Sequence, residues 1–163
     1  MPVTSAELFQ RLESLGIQTS TVEHPPVFTV EEARSLRGEI AGAHSKNLFF
    51  KDKKDVLWLV VCLEDAAIDL KSLHNRIGAG RLSFGKPELL MEVLGIAPGS
   101  VTPFALINDA EARVRVVLDA RMMGHETLNF HPLRNTATTA ISSADLEKFV
   151  RATGHEPLIV EVA

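Results

Sequence analysis

One cysteine in 163 residues, Cys62, rules out an intramolecular disulfide and a cysteine-based zinc site, and it suits a reducing compartment. It lies within Leu57-Trp58-Leu59-Val60-Val61-Cys62-Leu63, the setting of a small core residue rather than of a nucleophile. No apolar run approaches the length of a membrane span, and the N-terminus lacks the cationic and apolar pattern of a signal peptide. The expectation is a cytoplasmic protein without a membrane partner. No P-loop, no G-x-G-x-x-G and no G-x-S-x-G elbow occurs, so neither phosphate-cradling loops nor a serine triad find support. His125 and His131 are too far apart for HxH or HExxH spacing, and no acidic residue completes a ligand set, so no catalytic metal is expected. Repeats, linkers and low-complexity tracts are also missing, which reads as one domain over residues 1–163.

What is present is a chain with 45% hydrophobic and 23% charged residues, able to bury a core of its own. The net charge of −4 argues against broad affinity for nucleic acid. The charges are unevenly spread, however. Residues 1–43 carry three basic against six acidic side chains, residues 44–90 eight against six, and residues 91–163 six against nine. The basic excess of the middle third includes Lys51, Lys53 and Lys54, which read either as a solvated turn or as a local patch for a phosphate backbone.

Thr4-Ser5-Ala6-Glu7 is a capping box, and Leu8, Leu12 and Leu15 continue it as an amphipathic helix ending at Gly16. An alternating stretch, 18–23, reads as a strand stopped by His24-Pro25-Pro26. A second capping box, Thr29-Val30-Glu31-Glu32, opens a short helix closed by Gly38. The β-rich runs 46–51 and 56–63 form a hairpin across Asp52-Lys53-Lys54-Asp55. A helix over 69–77 ends at Gly78, 81–84 is extended, and Pro87 starts a helix whose buried face is Leu89, Leu90, Val93 and Leu94. Strands are predicted at 101–107, 114–118, 126–130, 135–141 and 157–162, with a helix from the Ser142-Ser143-Ala144-Asp145 cap to Ala152. The pattern predicts an α+β fold with a mixed, largely antiparallel sheet and flanking helices.

Between the helix that starts at Pro87 and the next predicted strand lies Gly95-Ile96-Ala97-Pro98-Gly99-Ser100. Gly95 suits a left-handed helix cap, and Pro98-Gly99 suits a type II turn with positive φ at the glycine. The same loop offers bare backbone to a ligand. With Lys46 at a strand start, and with His131 and Asn135 beside a strand of small residues, it forms a candidate constellation.

The combination of Lys46-Asn47-Leu48-Phe49, Gly95-Ile96-Ala97-Pro98-Gly99-Ser100, Asn129-Phe130-His131-Pro132 and Asn135-Thr136-Ala137-Thr138-Thr139-Ala140-Ile141 resembles the YbaK/prolyl-tRNA synthetase associated domain family. The similarity runs in order over almost the whole chain. Within the family it is nearest the freestanding alanyl-tRNA(Pro) deacylases, the ProXp-ala branch. The resemblance implies hydrolysis of the ester of mischarged Ala-tRNA(Pro), in trans because the chain has no room for synthetase domains, and without metal or cofactor. Lys46 matches the family's essential lysine, and Gly95, Pro98 and Gly99 match its G-x-x-P-G loop. His131 matches a pocket histidine, with Asn47, Ser100, Asn135 and Thr136 as further substrate-binding residues.

An aminoacyl ester is already activated, so such a protein need only place a water and stabilise the oxyanion. Lys46 would supply charge, the 95–99 backbone would hold the terminal nucleotide, and the ribose 2′-hydroxyl would help activate the water. A pocket that admits alanine excludes proline by clash, so His131 and the small side chains of 135–141 would act as a second sieve. Lys51, Lys53, Lys54, Arg76 and Arg81 are the RNA-binding candidates. Transient association with a prolyl-tRNA synthetase or an elongation factor is left open, as are a specificity for Ser- or Cys-charged tRNA and a noncatalytic binding module on the same fold.

Overall fold

Two runs of β-branched, aromatic and aliphatic residues meet in the hairpin around which the molecule is built. In the computed structural model, which describes residues 2–26 and 40–163, β2 (Ala43–Asp52) pairs antiparallel with β3 (Leu57–Leu63), from Ser45↔Leu63 to Lys51↔Leu57. The capping box at 29–32 and its helix to Gly38 lie outside the described residues. Asp52 shapes the turn: its buried carboxylate accepts from the N–H groups of Lys54 and Val56, from Trp58 Nε1 and from the N–H of Gly80. Burial alone would raise the Asp52 pKa, but these donors outweigh it and hold the carboxyl below its ordinary value.

The local signals at helix ends act as predicted. In α1 (Ser5–Ser14) both arms of the Thr4/Glu7 capping box are made. Asp69 caps α2 (Leu70–Ile77), which left-handed Gly78 closes, and Pro87 opens α3 (Pro87–Leu94), which left-handed Gly95 closes. Ser142 caps α4 (Ser143–Ala152) through the N–H of Asp145.

The remaining strands are β1 (Ser20–Glu23), β4 (Leu82–Phe84), β5 (Val114–Asp119), β6 (Thr127–Phe130), β7 (Ala137–Ser142) and β8 (Leu158–Val160). With β2 and β3 they form, among the described residues, an eight-stranded sheet in the order β1-β7-β6-β2-β3-β5-β8, with β4 added to the far end of β2. The α+β class and the mixed sheet agree with the sequence pattern. Antiparallel pairs join β1 to β7, β7 to β6 and β2 to both β3 and β4, while β2–β6, β3–β5 and β5–β8 run parallel.

Two sequence expectations fail. Residues 101–107 are not a strand, because Pro103 lacks an N–H for a ladder and Thr102 Oγ1 accepts from the N–H of Phe104, starting a 3₁₀ helix, Pro103–Asn108. Pro98-Gly99 is not a type II turn, because Pro98–Ser100 is a single 3₁₀ turn closed by Ser100 N–H to Ala97 O, and Gly99 is not among the positive-φ glycines.

Alternation along β2 and β3 divides the core between the two faces of the sheet. Phe49, Leu57, Leu59 and Val61 pack with Leu8, Leu12, Leu90, Leu94, Phe104 and Phe149 from the helices. Phe50, Trp58, Val60 and Cys62 pack with Leu73, Ile77, Leu82 and Val117. No helix of the described residues is long and apolar enough to cross a membrane.

Candidate functional site

Lys46 sits near the start of β2 opposite Cys62, on the face shared by Leu48 and Phe50. It is half-buried, and its Nζ donates to Ala66 O, just beyond β3. The neighbouring thiol registers this cation. Burial pushes the Cys62 pKa up to about 11, with Lys46 opposing the rise and Asp119 adding to it. Cys62 is fully buried and protonated at neutral pH, so it is a core residue and not a nucleophile. Asn47 alternates to the opposite face, beside Val61, and its Oδ1 is buried without a hydrogen-bond partner among the described residues.

β2 and β6 are joined in parallel by Ala43↔Leu128 and His44↔Asn129, and Ser45 Oγ donates to Asn129 O. Counted two residues on from His44↔Asn129, Lys46 of β2 is level with His131, the first residue after β6. Asn129 fastens the approach to β2, since its Nδ2 donates to Ala41 O and Ala43 O, and a Cβ on Gly42, at φ +99°, would come within 2.9 Å of that nitrogen.

The turn after His131 is held in a defined shape. Leu133 adopts a left-handed φ of 71° while packing against the core, and Ser5 Oγ of α1 donates to Pro132 O. His131 Nδ1 lies 3.1 Å from Ala137 O, so that nitrogen carries the hydrogen and Nε2 is left as an acceptor. Burial lowers the His131 pKa, the Ala137 bond partly offsets this, and nearby His24 lowers it further. The ring is thus neutral at pH 7.

His24 belongs to this neighbourhood although its sequence reads only as a strand stop. Its Nε2 lies 2.8 Å from Thr138 Oγ1, and its N–H donates to Thr136 O. The pairing of β1 with β7 brings it there, and no local motif could have revealed it. Arg134 braces the same turn through Thr136 Oγ1 and Glu23.

The 95–100 loop reaches this turn at Gly99, where an added Cβ would lie 3.6 Å from Asn135 Nδ2, an ordinary contact. Gly95 differs. Its φ is +66°, and a Cβ would approach Pro2 at 2.9 Å and Asn108 at 3.1 Å, so glycine there serves helix closure and packing. Pro98 and Gly99 are exposed and Ser100 is half-buried. Neither a left-handed φ nor internal crowding demands glycine at 99.

The RNA-binding candidates divide. Lys51, Lys53, Lys54 and Arg81 gather at the far end of β2, where Lys53 N–H donates to Arg81 O, and Lys51 is about 17 Å along the strand from Lys46. Arg76 stands apart on α2, with Nη1 3.4 Å from Glu161 O. Among the described residues, no group of three or more His, Cys, Asp or Glu side chains is arranged to hold a metal.

The family model of the aminoacyl-tRNA editing domain matches residues 24–149. The chain is 45% identical over 160 residues to prolyl-tRNA synthetase associated domain-containing protein 1 of Mus musculus, covering 95% of this chain and 94% of that one. It is 39% identical over 153 residues to the prolyl-tRNA editing protein ProX of Acetoanaerobium sticklandii, covering 93% of each. A crystal structure described as a trans-editing enzyme for prolyl tRNA synthetase superposes over the whole of both chains with a TM-score of 0.73 at 23% identity. That of a hypothetical protein superposes with a TM-score of 0.76 at 19% identity, covering 98% of this chain and 99% of that one. At these identities the two structures speak for the fold, and the family match together with the sequence relatives makes this chain a member of the aminoacyl-tRNA editing domain family.

Proposed function

We propose that residues 1–163 act as one trans-editing domain that hydrolyses the ester of alanine mischarged on tRNA(Pro), without metal or organic cofactor. The observation that supports this reading is the parallel β2–β6 register, which counted on from His44↔Asn129 sets Lys46 level with His131, the residue after β6. The bare Gly99 backbone adds to it, as a wall that internal packing does not require to be glycine.

In this reading water attacks the ester carbonyl, the bond from that carbon to the ribose 3′-oxygen breaks, and the oxygen leaves with a proton. Lys46 Nζ spends one N–H on Ala66 O and keeps two for the terminal phosphate or the developing oxyanion. His131 Nε2 accepts from the substrate's α-ammonium group or from the water. Ser100, Asn135 and Thr136 line the aminoacyl adenosine, Asn47 on the face of β2 opposite Lys46 has the weaker claim to that role, and Lys51, Lys53, Lys54 and Arg81 track the RNA backbone, making affinity fall with salt. Arg76, tied toward the C-terminal strand, has the weakest claim to that role.

Release of amino acid from Ala-, Ser- and Cys-tRNA(Pro) and from Ala-tRNA(Ala), measured with EDTA present, tests the reading. Ala-tRNA(Pro) is expected to react fastest. Faster Ser or Cys release replaces alanine as the substrate, and no release from any of them rejects hydrolysis.

His131→Ala tests the sieve. The preference for alanine over serine should fall by about tenfold, the order expected when a close-fitting pocket opens by roughly one small group. In the wild-type protein kcat/KM should decline only as the pH drops below the ordinary histidine range, because the folded pKa is depressed and the neutral ring is the working form. Unchanged selectivity together with an unchanged acid limb in His131→Ala removes His131 from the pocket.

A further inference from the structure

At the end of β2 remote from Lys46, one aromatic ring is held in the open. Phe84 is 62% exposed, yet its backbone is fixed by pairing with Phe50 and its ring packs on the buried Phe50 ring, with centroids 4.9 Å apart at a tilt of 38°. The next residue locks the position. Gly85 N–H donates to Phe49 O, and an added Cβ there would lie 2.3 Å from the Phe49 ring. The Phe84 side chain therefore has support on one side and solvent on the other.

This ring edges an open groove of about 690 Å³ whose lining includes Lys51, Lys53, Lys86, Glu88 and Glu92. A second depression of about 510 Å³ shares Lys51, Asp55 and Leu89 with it and adds Arg113 and Arg115. Most of the groove's acidic side chains are already occupied. Asp55 pairs with Lys51 at 3.1 Å, Glu92 with Arg113 at 3.8 Å, and Asp52 spends its carboxylate on four N–H donors. Among the described residues Glu88 is left as the acid without an ion pair, against Lys53, Lys54, Arg81 and Lys86, which have no carboxylate partner.

We propose that this groove binds the single-stranded 3′ segment of the RNA, with an unpaired base stacked on Phe84 and the flanking phosphates held by Lys53, Lys54, Arg81 and Lys86. The proposal rests on the editing function above and adds to it a contact outside the reacting centre. Aromatic rings flanked by cations are how proteins bind unpaired nucleotides without reading their sequence. A protein partner fits less well, because lysine is depleted in the centre of protein interfaces and here the unpaired Lys53 and Lys86 line the groove with one exposed ring. The reach is also right. Phe50, beneath Phe84, is four residues from Lys46, about 13 Å along β2. A strand whose terminal adenosine lies at Lys46 meets Phe84 with the nucleotides just before it.

The test is the affinity of uncharged tRNA(Pro), read by fluorescence anisotropy at several salt concentrations. Phe84→Ala should bind about tenfold more weakly, within the range found when a stacking aromatic is removed, and Phe84→Trp should bind at least as well as the wild type. Lys86→Ala should lower the slope of log affinity against log salt by about one. On charged substrates the Phe84→Ala loss in kcat/KM should be about tenfold greater for Ala-tRNA(Pro) than for alanyl-adenosine, which has no upstream nucleotides. Wild-type affinity in Phe84→Ala, or equal losses on the two esters, overturns the proposal. A wild-type protein that hydrolyses neither ester overturns the deacylase reading instead, and the anisotropy comparison still decides the groove.

Discussion

Replacing Lys46 with alanine should lower kcat/KM for Ala-tRNA(Pro) by about 10²–10³-fold, the cost of losing one donor aimed at developing oxyanion charge. The expectation follows from how the side chain is held. Lys46 is half-buried in a strand that is hydrogen-bonded to β3 and β6, and its Nζ is anchored on Ala66 O. A cation so restrained needs little reorganisation when charge appears on the ester. The strand should survive the change, because Lys46 belongs to neither apolar core and the variant frees only the Ala66 carbonyl, which water can satisfy. Unfolding free energy should thus stay within about 1 kcal/mol of the wild type. Lys46→Arg should recover only part of the activity, since a planar guanidinium on a longer stem does not reproduce a compact ammonium at this site. Near-normal single-turnover hydrolysis by folded Lys46→Ala would remove the lysine from the chemistry.

Much of this arrangement was readable from short-range signals. The Thr4/Glu7 box, the Ser142 cap, Pro87 and the glycines at 78 and 95 act through hydrogen bonds and φ angles within a few residues, so they carry their meaning in the sequence. The hairpin of β2 and β3 is local in the same sense. Failures arose where another partner won. The run at 101–107 has the composition of a strand, but Thr102 and Pro103 favour a 3₁₀ start, and burial of Phe104, Ala105 and Leu106 does not require a sheet. Glycine at 99 looked like a turn requirement, whereas its backbone needs no positive φ.

The candidate site divides along the same line. Residue types at Lys46, His131 and Gly99 could be picked out, and the family resemblance connected them. That Lys46 is level with His131 follows from the parallel β2–β6 pairing, and that Gly99 lies near Asn135 follows from the course of the loop after α3, both visible only in the assembled fold. His24 was missed because its approach to His131 passes through β7, more than a hundred residues away in sequence. Phe84 and Lys86 were missed for a different reason. An exposed phenylalanine in a three-residue strand has no periodicity to flag it, and the ion pairs that occupy Asp55 and Glu92 are visible only in three dimensions.

Asp109 is the residue whose loss should most weaken the fold, and its surroundings make the size of the effect predictable. In sequence it is part of the polar stretch Asn108-Asp109-Ala110-Glu111. In the structure it is 3% exposed. One carboxylate oxygen accepts from Arg113 N–H at 2.9 Å, and the other accepts from Val114 N–H and from His155 Nε2, each at 2.8 Å. His155 is itself buried, with Nδ1 2.9 Å from Thr153 Oγ1. Asp109 thereby ties the end of the 3₁₀ helix to the first residue of β5 and to the chain leaving α4. Asp109→Ala strands two backbone donors and one imidazole donor in a place water does not reach. Removing one member of a buried hydrogen-bonded pair costs about 3–5 kcal/mol. Urea unfolding should show this as a midpoint lowered by roughly 1–3 M at an unchanged slope. Asp109→Asn keeps one acceptor oxygen and should lose less. Lys46 and His131 take part in none of these bonds, so the Asp109 variants should lose stability well before the hydrolysis rate of their folded fraction changes. A loss below about 1 kcal/mol in Asp109→Ala would mean that the three donors find other acceptors, and the joint between β5 and α4 would then have to be held by packing alone.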